Sequence, residues 1–344
     1  MNELHKENWK AKRREHSRLI RSDVLFDALI SGDNSALSSA ITLLESSLQK
    51  DQIAAQALIK RSLPFAGKSI RIGVTGVPGV GKSTFIESFG MHLIAKGKKI
   101  AVLAIDPSSK ENSGSILGDK TRMSNLSVSD NAFIRPSPAG VSLGGVARKT
   151  RECIVLCEAA GYDVILVETV GVGQSETLVH SMVDFFLLLM LAGAGDELQG
   201  IKRGIMELAD LLIINKADGD NVKKAQMAAQ EYKNAMHLFP ANENNWIPQA
   251  KIVSALHNHN IQEVWEEIEK YQRHTNTNGS FDQKRREQEI QWFIESLKDN
   301  ILNHFTNDEV VKLDIEAKKV KINNKEISAF EAADQWMKKW ILKK

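Results

Sequence analysis

The chain has 344 residues, and its 45 Lys and Arg residues nearly balance its 43 Asp and Glu residues, leaving a formal net charge of +2. This length allows one full hydrophobic core with smaller appendages. The balanced charge argues against a nucleic-acid-binding protein that relies on a general positive field. The two cysteines, Cys153 and Cys157, exclude a disulfide framework and are too few for an ordinary zinc site.

The sequence shows no sign of secretion or membrane insertion. The charged N-terminus lacks the apolar core of a secretory signal. The most hydrophobic run, residues 185–192, is far too short to cross a bilayer. We therefore expect a cytoplasmic protein.

Apolar residues at helical spacing predict an N-terminal helical extension over residues 1–62. Leu25, Leu29 and Ile30 share one helical face, and the same spacing resumes after Gly32. This stretch carries no recognisable catalytic motif, so we expect a helical cap or a docking surface.

Between residues 63 and 274, short apolar runs alternate with helical segments. The candidate strands are residues 71–75, 100–106, 133–135, 163–169, 184–191, 211–216 and 251–254. Their continuous hydrophobicity is typical of a mainly parallel sheet that is buried on both faces. The alternation predicts a doubly wound α/β domain, whose binding sites lie at the carboxyl ends of the strands.

The last part of the chain, residues 275–344, is predicted to be a helical arm. Its first residues, 275–280, are polar and resemble a linker. An apolar stripe then follows helical spacing from Ile290 to Leu302. We favour a dimerisation arm, and the alternative is that these helices pack back on the same chain.

A phosphate-binding loop lies at the start of the α/β domain. Residues 76–83 read G-x-x-x-x-G-K-S, between a predicted strand and a predicted helix. Such a loop cradles a polyphosphate with its backbone N–H groups, its lysine reaches the β- and γ-phosphates, and its serine ligates Mg²⁺. We expect the nucleotide phosphates to be bound by Gly79, Val80, Gly81, Lys82, Ser83 and Thr84. These residues predict a P-loop NTPase.

The segment Asn215-Lys216-Ala217-Asp218 follows a predicted strand and resembles the N-K-x-D guanine-reading motif of GTPases. The Asp218 carboxylate can accept hydrogen bonds from both the ring N–H and the exocyclic amine of guanine, a pair that adenine does not offer. The Lys216 stem can cover the base, and Asn215 can bridge two loops. Ser254, Ala255 and Leu256 follow the last strand, where a loop approaches the guanine carbonyl. GTP and GDP are therefore preferred over adenine nucleotides.

The segment from Glu168 to Gly171 ends another predicted strand, where many GTPases carry D-x-x-G. Glu168 is one methylene longer than the usual aspartate, so an indirect contact with Mg²⁺ is favoured. The Gly171 N–H is expected to contact the γ-phosphate, and the loop after it to respond to loss of that phosphate. Val172 stands where small GTPases place a water-orienting glutamine. This predicts slow hydrolysis that a partner accelerates.

Asp106 and Asp119 are further candidate neighbours of Mg²⁺. Asp106 ends a predicted strand, and Asp119 lies shortly downstream. Mg²⁺ prefers hard oxygen ligands and keeps several waters. For either aspartate alone, a turn or an N-cap is the simpler interpretation, and the surrounding P-loop domain favours a functional one.

Six motifs in this order resemble the GTPase chaperones of methylmalonyl-CoA mutase, a family also labelled lysine/arginine/ornithine transport-system ATPases. The motifs are G-V-P-G-V-G-K-S-T, A-I-D-P-S-S, L-G-D-K-T-R-M, V-E-T-V-G-V-G-Q-S-E, G-A-G-D-E-L-Q-G-I-K and N-K-A-D. The resemblance implies a homodimeric P-loop GTPase of the branch that contains signal-recognition and metallochaperone GTPases. Such a protein would protect an adenosylcobalamin-dependent acyl-CoA mutase and gate the loading or removal of its cofactor.

The resemblance also implies roles for single residues. Lys82 and Ser83 would serve the phosphates and the metal, and the acids at 106, 119 and 168 match the family's Mg²⁺ and switch acids. Residues 195–202 correspond to a mobile loop that senses the mutase, in which Gln199 and Lys202 could stabilise transition-state charge. An ordinary polar connection is the alternative interpretation of that loop.

Three other functions compete with this one. A nickel or cobalt insertion GTPase usually needs soft or imidazole ligands, and the sequence has no His-rich tract or C-x-x-C motif. An ATP-dependent kinase linked to amino-acid transport is disfavoured by Asp218, because that residue selects guanine. An adaptor with a dead nucleotide site is disfavoured because Lys82, Ser83 and Asp218 are all present.

Overall fold

A computed structural model describes residues 23–46, 48–105, 123–136, 143–169, 175–193, 203–236, 239, 244–306 and 308–341. The described chain divides into two compact units, one that ends at Gln288 and one that begins at Glu289. The predicted three-part division at residues 62 and 274 stays a prediction.

The first unit is built on one sheet of seven strands. These are β1 (Ile70–Gly76), β2 (Ile100–Ile105), β3 (Ala132–Arg135), β4 (Val164–Thr169), β5 (Phe185–Leu191), β6 (Leu211–Asn215) and β7 (Gln249–Ile252). Their order is β3-β2-β4-β1-β5-β6-β7, and every neighbouring pair is parallel. The predicted parallel sheet is confirmed, with β7 starting two residues earlier than expected.

Helices cover both faces of this sheet. Those of the first unit are α1 (23–30), α2 (Asn34–Glu45), α3 (Gln49–Ser62), α4 (Lys82–Ala95), α5 (Leu143–Ala159), α6 (Ser175–His180), α7 (Arg203–Glu207), α8 (Val222–Met236) and α9 (Ile261–Thr277). On β6, Ile213 packs into the core that contains Phe89 of α4, whereas Leu212 and Ile214 pack with Tyr232 of α8. Successive side chains of a strand point to opposite faces. The predicted doubly wound α/β fold is therefore confirmed.

Aspartates at the amino end of the sheet hold the strands in register. Each accepts a hydrogen bond from a backbone N–H near the start of the neighbouring strand. Asp163 accepts from Lys99 at 2.8 Å, Asp184 from Arg71 at 2.8 Å, and Asp210 from the N–H of Phe186 at 2.9 Å. These bonds satisfy backbone donors at one end of the sheet, and the loops of the functional site lie at the opposite, carboxyl end.

A long helix, α10 (Ser280–Thr306), follows α9 after a break of only two residues. The predicted linker at residues 275–280 is therefore wrong. The hydroxyls of Thr275 and Thr277 bond to the carbonyls of Tyr271 and Arg273, and Thr275 is buried. Tertiary packing thus outweighs the weak helix propensity of this polar segment.

The second unit contains the end of α10 with α11 (Glu309–Asn323) and α12 (Ala329–Trp340). Asp314 of α11 accepts hydrogen bonds from Lys339 at 2.7 Å and from the indole of Trp340 at 2.9 Å. The predicted apolar stripe lies on α10 and is exposed at Ile290, Phe293, Ile294, Leu297, Ile301 and Leu302. None of the described helices is long and apolar enough to cross a membrane.

Candidate nucleotide site

The loop between β1 and α4 has the backbone shape of a phosphate cradle. Gly76 ends β1 with φ of +156°, and a Cβ there would lie 2.4 Å from the carbonyl oxygen of Leu189. Gly79 and Gly81 have φ of +74° and +90°. Gly81 is the N-cap of α4 and offers no capping side chain, so the N-terminal N–H groups of α4 face the loop. This geometry suits an anion with several phosphate groups.

Lys82 opens α4 and lies beside two buried acids. Its Nζ donates to the carbonyl oxygen of Gly76 at 2.9 Å. Burial lowers the pKa of Lys82, and the carboxylates of Glu168 and Glu176 act in the opposite direction. Both acids are almost fully buried. The lysine charge thus stands close to carboxylates within a largely enclosed site.

The hydroxyl of Ser83 faces the end of β4. Its Oγ lies 3.5 Å from a carboxylate oxygen of Glu168. An alcohol and a carboxylate are hard oxygen ligands of the kind that Mg²⁺ accepts, so these residues fit that ion. Ser83 would hold the ion directly and Glu168 through water. When bound, Mg²⁺ neutralises charge on the phosphates.

Asn215, at the end of β6, connects the phosphate loop to the loop after β7. Its amide donates to the carbonyl oxygen of Val80 at 2.8 Å and accepts from the N–H of Ala255 at 3.1 Å. Lys216 has φ of +58° and donates to the carbonyl oxygen of Gly79 at 2.7 Å. The phosphate-binding loop and the loop after β7, which are far apart in sequence, are thereby held at the same edge of the sheet.

Asp218 and Ser254, both predicted to contact the base, are hydrogen-bonded to each other at this edge. Ser254 is fully buried, and its hydroxyl donates to a carboxylate oxygen of Asp218 at 2.6 Å. The N–H of His257 donates to the same serine oxygen at 3.3 Å. Leu256, the last of the three residues expected to approach the base, is exposed. Such a carboxylate, oriented by a neighbour, suits recognition of paired N–H donors on a base.

The structure brings together most of the predicted site. Thr84 lies exposed on the first turn of α4, next to Ser83. Asp106, Asp119, Gly171 and Lys202 fall outside the described residues. Their predicted roles stay predictions.

A family model identifies the chain. The model described as "Methylmalonyl Co-A mutase-associated GTPase MeaB" matches residues 37–310. The chain belongs to the MeaB family of GTPases. The predicted family resemblance is confirmed, and guanine nucleotide is the ligand class that this family implies for the site.

Individual relatives agree with the MeaB assignment. A putative GTPase of Caulobacter vibrioides is 48% identical over 313 residues, covering 91% of this chain and 96% of the relative. GTPase ArgK of Escherichia coli is 47% identical over 279 residues, covering 81% and 84%. The methylmalonic aciduria type A homolog of Mus musculus, described as mitochondrial, is 43% identical over 326 residues, covering 92% and 79%.

A solved relative extends the agreement to three dimensions. The crystal structure of a LAO/AO transport system kinase matches with a TM-score of 0.73 at 37% identity, covering 92% of this chain and 96% of that one. The parallel sheet with its flanking helices is thus shared with that protein.

The sequence motifs contain Thr169 and Glu176 but assign neither of them an individual role. Thr169, the last residue of β4, donates its hydroxyl to that of Thr75 in β1 at 2.9 Å, and both are buried. Glu176 enters the site from the first turn of α6. The motif V-G-V-G-Q-S-E contains Glu176, but its burial beside Lys82 depends on how α6 packs.

Proposed function

We propose that this chain is a cytoplasmic, homodimeric GTP-binding and GTP-hydrolysing chaperone of an adenosylcobalamin-dependent acyl-CoA mutase, with methylmalonyl-CoA mutase as the favoured partner. It would protect the mutase and gate the loading or removal of its cofactor. The observation that carries the nucleotide part is the hydrogen-bonded set Asn215, Asp218 and Ser254, which lies at the same sheet edge as the phosphate loop.

Different residues of the chain would contribute to different parts of GTP hydrolysis. The α4 N-terminus and Lys82 hold the phosphates and offset charge that develops on them. Glu168 would hold Mg²⁺ through water, and Gly171 and Lys202 would serve the γ-phosphate and the transition-state charge, as their motifs imply. Slow turnover by the chain alone, with acceleration by a partner, is consistent with Val172 in place of glutamine.

The mutase part of the proposal rests on the family description. The exposed stripe on α10, from Ile290 to Leu302, supports the homodimer, because contiguous exposed apolar faces often mark interfaces. We expect the chain to co-purify with a methylmalonyl-CoA mutase. We also expect cobalamin transfer to differ between the GDP-bound and the GTP-bound chain. Failure of every acyl-CoA mutase tested to bind the GTP-loaded chain would contradict this part alone.

The nucleotide part is tested by the substitution Asp218→Asn. The variant keeps one oxygen that can accept from the ring N–H, but it loses the negative charge and places an amide donor against the exocyclic amine of guanine, so GDP affinity should fall by about 100-fold or more. Xanthine nucleotides, whose oxygen replaces the exocyclic amine, should gain affinity. Titration calorimetry with GDP, XDP and ADP in Mg²⁺ measures both changes.

Asp220→Asn is the matched control, because Asp220 is an exposed aspartate two residues away on the same short turn. It should leave the affinity for GDP unchanged. Tight binding of ADP or ATP by the unsubstituted chain, without preference for guanine, would favour the kinase interpretation and contradict the proposed guanine-nucleotide function.

A further inference from the structure

The loop after β7 is closed by hydrogen bonds between the residues at its two ends. Ser254 and His259 exchange backbone hydrogen bonds of 3.2 and 3.0 Å. Between them, Asn258 adopts φ of +55°, a conformation that asparagine tolerates better than most residues. Residues 254–256, which we assign to the guanine base, therefore belong to a compact loop whose outer end is Asn258.

A side-chain hydrogen bond ties the outer end of this loop to the phosphate helix. The hydroxyl of Ser88, a buried residue on α4, donates to the side-chain oxygen of Asn258. Ser88 lies on the same helix as Lys82 and Ser83. The next residue, Phe89, packs its ring 6.2 Å from that of Trp265, on the helix that follows the loop. The loop and the phosphate helix thus meet at a defined contact away from the residues predicted to contact the base.

We propose that Asn258 is a positioning residue for nucleotide recognition, and that it acts through Ser88. This inference rests on the proposed guanine-nucleotide function. The phosphates and the base are bound by elements about 170 residues apart in sequence. One rigid ligand must satisfy both elements at once, so a contact that fixes their separation lowers the ordering cost of binding.

The exposure of Asn258 distinguishes this positioning role from ordinary core packing. Asn258 is exposed, and its side chain reaches the buried hydroxyl of Ser88. Asn215 links the inner end of the same loop to the phosphate loop. The two asparagines therefore hold the base loop at both of its ends.

The test is a double-mutant cycle on the affinity for fluorescently labelled GDP. Ser88→Ala and Asn258→Gly each remove the hydrogen bond, and glycine keeps the positive φ. Each should weaken GDP binding by about three- to tenfold, the worth of one hydrogen bond. The GDP affinity of the double variant should be within about twofold of that of the weaker-binding single variant, because both changes remove the same hydrogen bond.

Three further measurements sharpen the result. Asn258→Asp keeps an acceptor oxygen and should restore near-normal GDP affinity. Inorganic pyrophosphate, which lacks a base, should compete for the site equally well in all variants. Asn245→Gly, at an exposed asparagine with φ of +57°, should leave GDP affinity unchanged.

The inference is overturned if either single variant binds GDP as tightly as the unsubstituted chain, or if the two effects multiply in the double variant. Parallel weakening of pyrophosphate would also overturn it, because the bond would then support the phosphate loop alone. If the unsubstituted chain shows no preference for GDP over ADP, the proposed function itself fails, and this inference fails with it.

Discussion

At the scale of single residues, Gly73 shows how closely α6 packs on β1, the strand that leads into the phosphate-binding loop. A Cβ added at Gly73 would lie 2.8 Å from Val179 of α6 and 2.8 Å from Phe186 of β5. Val183 would be 3.1 Å away. All three neighbours are fully buried, so none can move aside cheaply. The absence of a side chain at Gly73 is therefore what lets α6 approach β1.

We predict that Gly73→Ala lowers the free energy of unfolding by about 1–3 kcal/mol, the usual cost of overpacking a core. Urea unfolding at neutral pH measures the change. Gly204→Ala is the matched control, because a Cβ at Gly204 meets nothing within 4 Å and the residue lies in α7. The control should be neutral or slightly stabilising. Equal stability of the two variants would contradict the packing argument.

At the scale of elements, buried charges attach the first turns of α10 to the amino end of the sheet. Arg285 donates to both carboxylate oxygens of Asp184, at 2.8 and 2.6 Å. It also donates to the carbonyl oxygens of Gly67 and Ser69, just before β1, at 2.7 and 2.6 Å. Nearby, Glu158 forms two hydrogen bonds with Arg71 at 3.0 Å. Arg285 and Arg71 thus pair with Asp184 and Glu158 at this end of the sheet, and Lys284 donates to the carbonyl oxygen of Asp184 at 2.8 Å.

We predict that Arg285→Met destabilises the chain by about 3–5 kcal/mol, because it leaves the buried Asp184 carboxylate without its cation. Chemical denaturation measures the loss. Arg286→Met changes the adjacent, exposed arginine of the same helix and should cost less than about 0.5 kcal/mol. A small effect at both positions would mean that α10 is held by other contacts.

Elements also show what sequence patterns can and cannot predict. The interior strands were recognisable because burial on both faces demands continuous apolar runs. The start of β7 lies two residues before the predicted one because this edge strand is half-exposed and includes the polar Gln249 and Lys251. Asn215 and Asp218 were found from local spacing. The pairs Thr75–Thr169 and Ser88–Asn258 were not, because they join residues 94 and 170 positions apart and depend on the folded arrangement.

At the scale of the whole molecule, two buried groups near Phe186 give the stability opposing dependences on pH. Burial lowers the pKa of His180 to about 4, with the Lys284 charge acting in the same direction. Burial raises the pKa of Asp210 to about 6, opposed by Lys284 and by the N–H of Phe186. The His180 ring packs edge-on against Phe186, whose N–H is held by Asp210. Both groups therefore favour their neutral forms in the folded chain.

The signs follow from proton linkage. Below its ordinary pKa of 6.5, His180 takes up a proton more readily when the chain is unfolded, so acid destabilises the fold. Above its ordinary pKa of 3.8, Asp210 keeps its proton more readily when the chain is folded, so acid stabilises the fold. Between about pH 4 and pH 6 the two contributions partly cancel.

Replacing each group in turn should reveal both trends. Relative to the unsubstituted chain, His180→Gln should gain stability as the pH falls from 6.5 to 4, by on the order of 2 kcal/mol. Asp210→Asn, whose amide oxygen can still accept from Phe186, should lose relative stability over a similar range and magnitude. Urea unfolding at half-unit pH steps measures both differences, and the interval from about pH 8 to 9 serves as the internal control, because neither group changes its charge appreciably there. If the relative stability of the two variants changed with pH in the same direction, these two pKa shifts would be contradicted, since burial of a base and burial of an acid shift the pKa in opposite directions.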